Sequence, residues 1–352
     1  MITPKCHTAD WIHTQREHLR ATDPLILEKA IFALTLLERL CTTDLEFVFK
    51  GGTALLLHLP APRRLSIDID ITCQLPKLRL EAVFEKMIGQ TPFTHWAEHV
   101  RGERGLPGRN HYKFHYHSPT QNQDLHILLD VVTEANHLAH LESRPINTSF
   151  LEVTEPQMVS TPRLEALLGD KLTAFAPHTV GVPLTARFSQ QVIKQLHDIA
   201  QLYDHARDLS ALAEDNRNSF AAESGYASEF NGSYHDYLDD VINTAYRICA
   251  LDLRGAPKDR PEEERLLRTG IRQLSSHLIG ERFSLPHAKL AAAKAGHLAS
   301  SLRSGNLPEA LPRFKAESIS ELKTAQLSEP YQVLNRLKGT LPEVFFHWSH
   351  CP

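Results

Sequence analysis

The chain has 352 residues, of which 42% are hydrophobic and 23% charged, and its formal net charge is -4. That length buries a sizeable core in one large or two modest domains, two being the expectation, and the composition is that of an ordinary globular protein, not a disordered one. The slight negative balance supplies no general attraction for nucleic acid, so any RNA contact has to rest on a local basic surface.

In chain order, Asp23-Pro24 reads as an N-cap followed by proline in the first turn, and residues 25–40 as a strongly apolar helix. Residues 47–49 form a short buried strand that runs into Gly51-Gly52-Thr53, after which residues 54–58 begin a helix. From 65 to 72 the chain alternates strictly: Ile67, Ile69 and Ile71 point one way, and Ser66, Asp68 and Asp70 the other. Residues 79–89 look helical. Arg101, Arg104 and Arg109, interleaved with Gly102, Gly105 and Gly108, suggest either a basic loop or an ordinary hairpin turn. Residues 111–117 then alternate as a strand, with Tyr112, Phe114 and Tyr116 opposite His111, Lys113, His115 and His117. Residues 125–132 are a nearly continuous apolar run holding one acid, Asp130, as suits a central strand.

One or two further strands are expected near 150–159, and a domain boundary near Ser160. Beyond it, Thr161-Pro162 opens a helix whose apolar stripe is Leu164, Leu167, Leu168, Leu172 and Phe175, with Lys171 falling on that stripe. Residues 184–205 form another helix, 215–233 a polar loop, and 234–253, 262–279 and 286–302 further helices, before a proline-broken stretch at 307–318. The expected fold is α+β: a small mixed sheet with flanking helices over residues 1–160, then a helical domain over 161–352. No run of about 18 apolar residues could span a bilayer, and residues 1–10 lack a basic-then-apolar signal, so a cytoplasmic protein without a membrane partner is expected. The five scattered cysteines include no CxxC pair, which makes structural disulfides and a cysteine zinc site unexpected.

Three acids carry the most chemistry. Asp68 and Asp70 share one strand face, and Asp130, an acid inside an apolar strand, needs a partner. Together they could hold divalent ions that bridge phosphate oxygens and neutralise a departing pyrophosphate, while Asp130 could also take a proton from an attacking hydroxyl. The Gly51-Gly52-Thr53 turn at a helix start offers backbone N–H groups to a triphosphate, with the Thr53 hydroxyl a further donor. Taken singly, each motif has a bland reading, as a tight turn or as a solvated strand. Lys171 could reach phosphate or simply snorkel. Asp198 could orient a catalytic group or pair with Lys194 one helical turn away. Ser66 and Arg64 are candidates to steady the metal-binding loop or touch phosphate, against plain surface roles. For the line His111, Lys113, His115 and His117, a solvated strand face is favoured over a metal or RNA site.

In order and spacing, Lys50-Gly51-Gly52-Thr53-Ala54-Leu55 followed by Arg64-Leu65-Ser66-Ile67-Asp68-Ile69-Asp70 closely resembles the AbiEii/AbiGii toxin family, within the DNA polymerase beta-like nucleotidyltransferase superfamily. Lys171-Leu172-Thr173-Ala174 is similar to the family's Lys-Leu-x-Ala helix. The segment 197–202 is similar to its Lys-Asp-x-x-Asp-Leu segment, but His197 stands at the usual lysine and Gln201 at the second aspartate. The resemblance covers about residues 46–206. It implies a toxin-like or phage-defence enzyme that uses Mg²⁺ (or Mn²⁺) and an NTP. On that reading Asp68, Asp70 and Asp130 hold metal, and Gly51, Gly52, Thr53, Arg64, Ser66 and Lys171 bind nucleotide.

NMP transfer to an RNA acceptor, tRNA first, is the function the resemblance implies, with substrate in a cleft between the domains and an antitoxin as a further partner. The alternatives are nucleotide or phosphate transfer to a protein hydroxyl, and a non-catalytic NTP-binding regulator.

Overall fold

A computed structural model describes residues 1–20, 23–61, 63–89, 92–99, 108–227, 229–280, 282–315 and 317–352. The chain divides into two compact units: Met1–Asn136 with His140–Arg163 and Ser276–Arg282, and Leu164–Ser275 with His137–Ala139 and Phe283–Pro352.

The first unit holds helices α1 (Ala9–Leu19), α2 (Pro24–Cys41), α3 (Gly51–His58) and α4 (Lys77–Ile88). Its strands are β1 (Val48–Lys50), β2 (Ile69–Thr72), β3 (Phe93–Glu98), β4 (Arg109–His117), β5 (Asp124–Val132), β6 (Leu141–Pro145) and β7 (Met158–Pro162). Asp23 caps α2 by accepting from the Leu25 N–H at 2.8 Å, and Pro24 takes the first turn, where its missing N–H costs nothing. The five-stranded sheet runs β1-β2-β5-β4-β3, with only β2 and β5 parallel. The apolar run of β5 thus occupies the centre of the sheet, flanked by β2 and β4.

Period-two alternation gives this sheet two unlike faces. One face is apolar, with Tyr112, Phe114 and Tyr116 of β4 and Ile127, Leu129 and Val131 of β5 all buried. Phe32 of α2 stacks on Tyr116 with ring centroids 3.8 Å apart, and Phe84 of α4 meets Tyr112 and Phe114 edge-on at 5.0 Å. The buried Glu28 is satisfied on this side by the Tyr116 hydroxyl and the Thr120 N–H. The other face carries Lys50, Asp70, Asp130, His111, Lys113, His115 and His126, all partly exposed.

The second unit is helical: α5 (Leu164–Ala174), α6 (Ser189–Tyr203), α7 (Leu209–Tyr226), α8 (Tyr234–Ala250), α9 (Pro261–Gln273), α10 (Leu285–Ser304), α11 (Ser318–Leu322) and α12 (Pro342–Ser349). A capping box of Ser233 and Asp236 starts α8. Close packing with α10 depends on small residues: a Cβ at Gly296 would stand 3.2 Å from the Trp348 ring and 3.3 Å from Ala245.

Several elements differ from the sequence expectation. The expected strand over 65–72 shortens to Ile69–Thr72 because its first part pairs elsewhere: Arg64 bridges Leu278, and the Leu65 N–H donates to the His277 carbonyl at 2.8 Å. The helix after the glycines begins at Gly51, not 54. Thr161 and Pro162 end β7 and do not open a helix. The polar stretch from 215 is helical as far as Tyr226, because Asp215, Asn216 and Ser219 are buried and hydrogen-bonded. Arg101 and Arg104 lie outside the described residues, and Arg109 opens β4.

Candidate active site

Strand register assembles the acidic site. Asp70 of β2 lies beside Asp130 of the parallel neighbour β5, and Lys50 of β1 flanks Asp70 on the other side. Paired residues on adjacent strands project to one face about 4.8 Å apart, so the two carboxylates share the open face. Asp68 precedes β2 by one residue and is partly exposed. Across β4 the partner of Asp130 is His111, whose Nδ1 is 2.7 Å from Asp130 Oδ1. An ionised carboxylate only accepts, so the ring nitrogen facing it carries the proton.

The glycine turn is fitted tightly against these acids. Gly51 has φ +81, a left-handed backbone that favours glycine, and a Cβ there would stand 2.0 Å from Asp70 Oδ2. At Gly52 a Cβ would lie 2.7 Å from an Arg64 guanidinium nitrogen and 2.9 Å from Ser66 Oγ. Arg64 and Ser66 thus gather at the start of α3, where helix N–H groups and the dipole favour an anion. Arg64 is held by the 277–279 segment, since the Ile279 N–H donates to the Arg63 carbonyl at 2.9 Å beside the Arg64–Leu278 bridge.

Thr53 departs from expectation. It is fully buried and its hydroxyl donates to the Asp68 carbonyl, so it anchors the Asp68–Asp70 segment instead of offering a donor to phosphate.

Lys171 and Asp198 belong to the helical unit. Lys171 does not snorkel: it is 6% exposed, and its ammonium lies 3.7 Å from Asp198 Oδ2, which is fully buried. Asp198 thus has a partner across helices in Lys171, and His197 Nδ1 lies 3.8 Å from its Oδ1. The two positions that depart from the family pattern bond to each other, with Gln201 Nε2 at 2.9 Å from His197 Nδ1.

Sequence reasoning gave no role in this site to Lys50 or to the His111–Asp130 contact. The signal for His111 was its place in an alternating strand, but only the β4–β5 register fixes its partner. Among the described residues, no three His, Cys, Asp or Glu side chains stand close enough to hold a metal ion by themselves, so the protein alone does not close a three-carboxylate cage. The donors are nonetheless all carboxylate oxygens. They suit a hard cation such as Mg²⁺, which typically takes one or two carboxylates and completes its shell with water and substrate phosphate.

A family model described as "Nucleotidyl transferase AbiEii toxin, Type IV TA system" matches residues 35–293. No curated protein matches the chain. Among solved structures, JHP933 from Helicobacter pylori is similar at 15% identity and TM-score 0.42, covering 79% of this chain and 91% of that one. An antigenic nucleotidyltransferase-like protein from Paracoccidioides brasiliensis is similar at 12% identity and TM-score 0.36, covering 56% and 93%. The family match spans the glycine turn, all three acids and the Lys171–Asp198 pair, and the chain belongs to the AbiEii nucleotidyltransferase toxin family.

Proposed function

We propose that the chain is a metal-dependent enzyme that moves an NMP from an NTP onto an RNA hydroxyl, with tRNA as the acceptor of first choice. The observation that carries this reading is the in-register pair Asp70 and Asp130 on the open sheet face, with the Gly51 backbone against Asp70. A divalent cation, Mg²⁺ or Mn²⁺, held by Asp70 and Asp130 and completed by water and triphosphate oxygens, with Asp68 as the further acid of the site, would neutralise the charge that develops on the leaving pyrophosphate.

The chain's own groups supply the rest. The first N–H groups of α3 and the Arg64 guanidinium receive the triphosphate, with Ser66 beside them. Gly51 and Gly52 keep the backbone low enough for that approach. His111 fixes the rotamer of Asp130, which takes up the proton of the attacking hydroxyl. Lys171, neutralised in part by Asp198, is a further nucleotide-binding candidate in this reading. An antitoxin protein is the other partner it includes, and the cytoplasm is the compartment. Among the described residues no helix is long and apolar enough to cross a membrane.

The test is to incubate the purified chain with each α-labelled NTP, Mg²⁺, and total cellular RNA and protein, beside Asp68→Ala. Label entering RNA with the wild type alone is the expected result. Label entering protein would replace the RNA acceptor with a protein hydroxyl, and NTP binding with no label transferred would leave a regulator.

A further inference from the structure

The open sheet face does not end at the acids. Along β4 from His111 come Lys113 and His115, and the register sets His115 between His95 of β3 and His126 of β5. The His95 and His115 rings are stacked, with centroids 4.2 Å apart and planes 7° from parallel, and the His126 ring lies 5.5 Å from that of His115. His95 is exposed, and Lys113, His115 and His126 are half-buried. All four project to the same side as Asp70 and Asp130, because each is reached from them through in-register pairs. His115 lies four residues along the strand from His111, about 13 Å away.

We propose that this row of imidazoles, with Lys113, is the track on which a single-stranded RNA acceptor lies, its bases stacked on His95, His115 and His126 and a phosphate on Lys113. The inference rests on the nucleotidyl-transfer reading for the identity of the acceptor, but the surface itself stands on the sheet geometry. Burial first, and then Lys113, holds the His126 ring down to about 4, and burial and His95 hold His115 below its usual value. Both rings are therefore neutral at neutral pH. A neutral imidazole is a weak anion ligand but a flat π surface, the platform on which unpaired bases stack, and single-stranded tracks combine such platforms with a cation for the backbone. The register also places Leu128 and Ala97, both half-buried, beside Lys113 on this face. That small apolar area, set among imidazoles and a cation, is too little for a lipid or an apolar peptide, and the row adjoins the acids where a strand's end would have to react. A chain with a net charge of -4 needs a local device of this kind to hold RNA.

The test uses the full chain with Mg²⁺ and no NTP. A short single-stranded oligoribonucleotide carrying 4-thiouridine is photo-crosslinked and the adducts mapped, while anisotropy measures its affinity for the wild type, for Lys113→Ala and for a His95→Thr, His115→Thr, His126→Thr triple variant. Threonine keeps the strand propensity, and matched melting curves verify folding. Crosslinks within β3, β4 and β5 are expected, with binding at least about tenfold weaker in the triple variant, since each stacked base is worth a fivefold or greater change. Unchanged affinity in the triple variant, crosslinks confined elsewhere, or no RNA binding by the wild type would overturn the track. If RNA is labelled in an Asp70-dependent way while the triple variant binds normally, the track fails and the transfer reading stands. If the crosslinks fall on these strands but no RNA is labelled, the track stands and the transfer reading fails.

Discussion

Two sets of acids in this molecule illustrate opposite uses of a carboxylate. Asp70 and Asp130 sit partly exposed on an open sheet face, beside a glycine backbone and a half-buried histidine. Asp198 is fully buried in a helical unit and is matched to a lysine that is itself nearly buried. An accessible acid retains oxygen lone pairs for a cation and a phosphate, whereas a buried one must be neutralised within the fold, and removing either partner leaves an uncompensated charge. The first pair should therefore matter chiefly to chemistry, the second chiefly to stability.

The largest expected effect sharpens that division. Asp70→Asn keeps the shape but removes the charge, and it should lower NMP transfer by about a thousandfold, the scale of losing one central electrostatic group. Its melting temperature should stay within about 2 °C of wild type, because a partly exposed acid contributes little to stability. A large loss of stability would place Asp70 with the structural acids.

Next comes the opposite case. Asp198→Ala strands the Lys171 ammonium in the core and should cost about 3–5 kcal/mol by denaturant titration. The double change with Lys171→Met should recover most of that stability while leaving transfer impaired if Lys171 also meets nucleotide. Full recovery of both would make the pair purely structural.

His111→Ala tests the orientation of Asp130. Loss of a group that orients a ligand typically costs about 10–100-fold, so transfer should fall by that amount, with His111→Asn recovering part of it through its amide N–H. An unaffected rate would mean that Asp130 is held without His111.

A smaller effect belongs to the helical unit alone. Tyr203 links two buried histidines, His297 at 3.0 Å and His347 at 3.5 Å, and His347 Nε2 has no hydrogen-bond partner among the described residues. Burial holds His297 down to about 4 and His347 well below its usual value. The unfolded chain therefore binds protons first as pH drops below about 6.5, so this contribution to stability is complete above that pH and is lost towards pH 4. The melting temperature should fall by about 5–10 °C between pH 7 and pH 5, and His347→Phe should flatten the decline.

The sequence made much of this legible wherever a local pattern decided the outcome. The apolar run around Asp130 marked β5 as a central strand, and Asp23-Pro24 marked the start of α2. Elements whose burial is polar or whose partners are remote could not be read. The polar residues Asp215, Asn216 and Ser219 face the inside of α7, so its hydrophobic period is masked. β3 is an edge strand with several exposed residues, and β6 belongs to a two-stranded pair whose side chains reach solvent. Residues 64–65 bond to 277–278, more than 200 positions later, which no local spacing encodes. At the site, the strand face and the glycine turn were visible in the sequence. The Thr53–Asp68 anchor, the His111–Asp130 contact and the Lys171–Asp198 pair required the tertiary structure.

The central claim is that Asp70 and Asp130 act together to hold the cation that carries an NTP. Titration of Mn²⁺ by electron paramagnetic resonance, with a non-hydrolysable NTP analogue present, tests it without relying on turnover. The wild type should sequester Mn²⁺ with the nucleotide, and the Asp70→Asn, Asp130→Asn double variant should leave the ion free in solution while melting normally. Equal Mn²⁺ uptake by the two proteins would contradict the account.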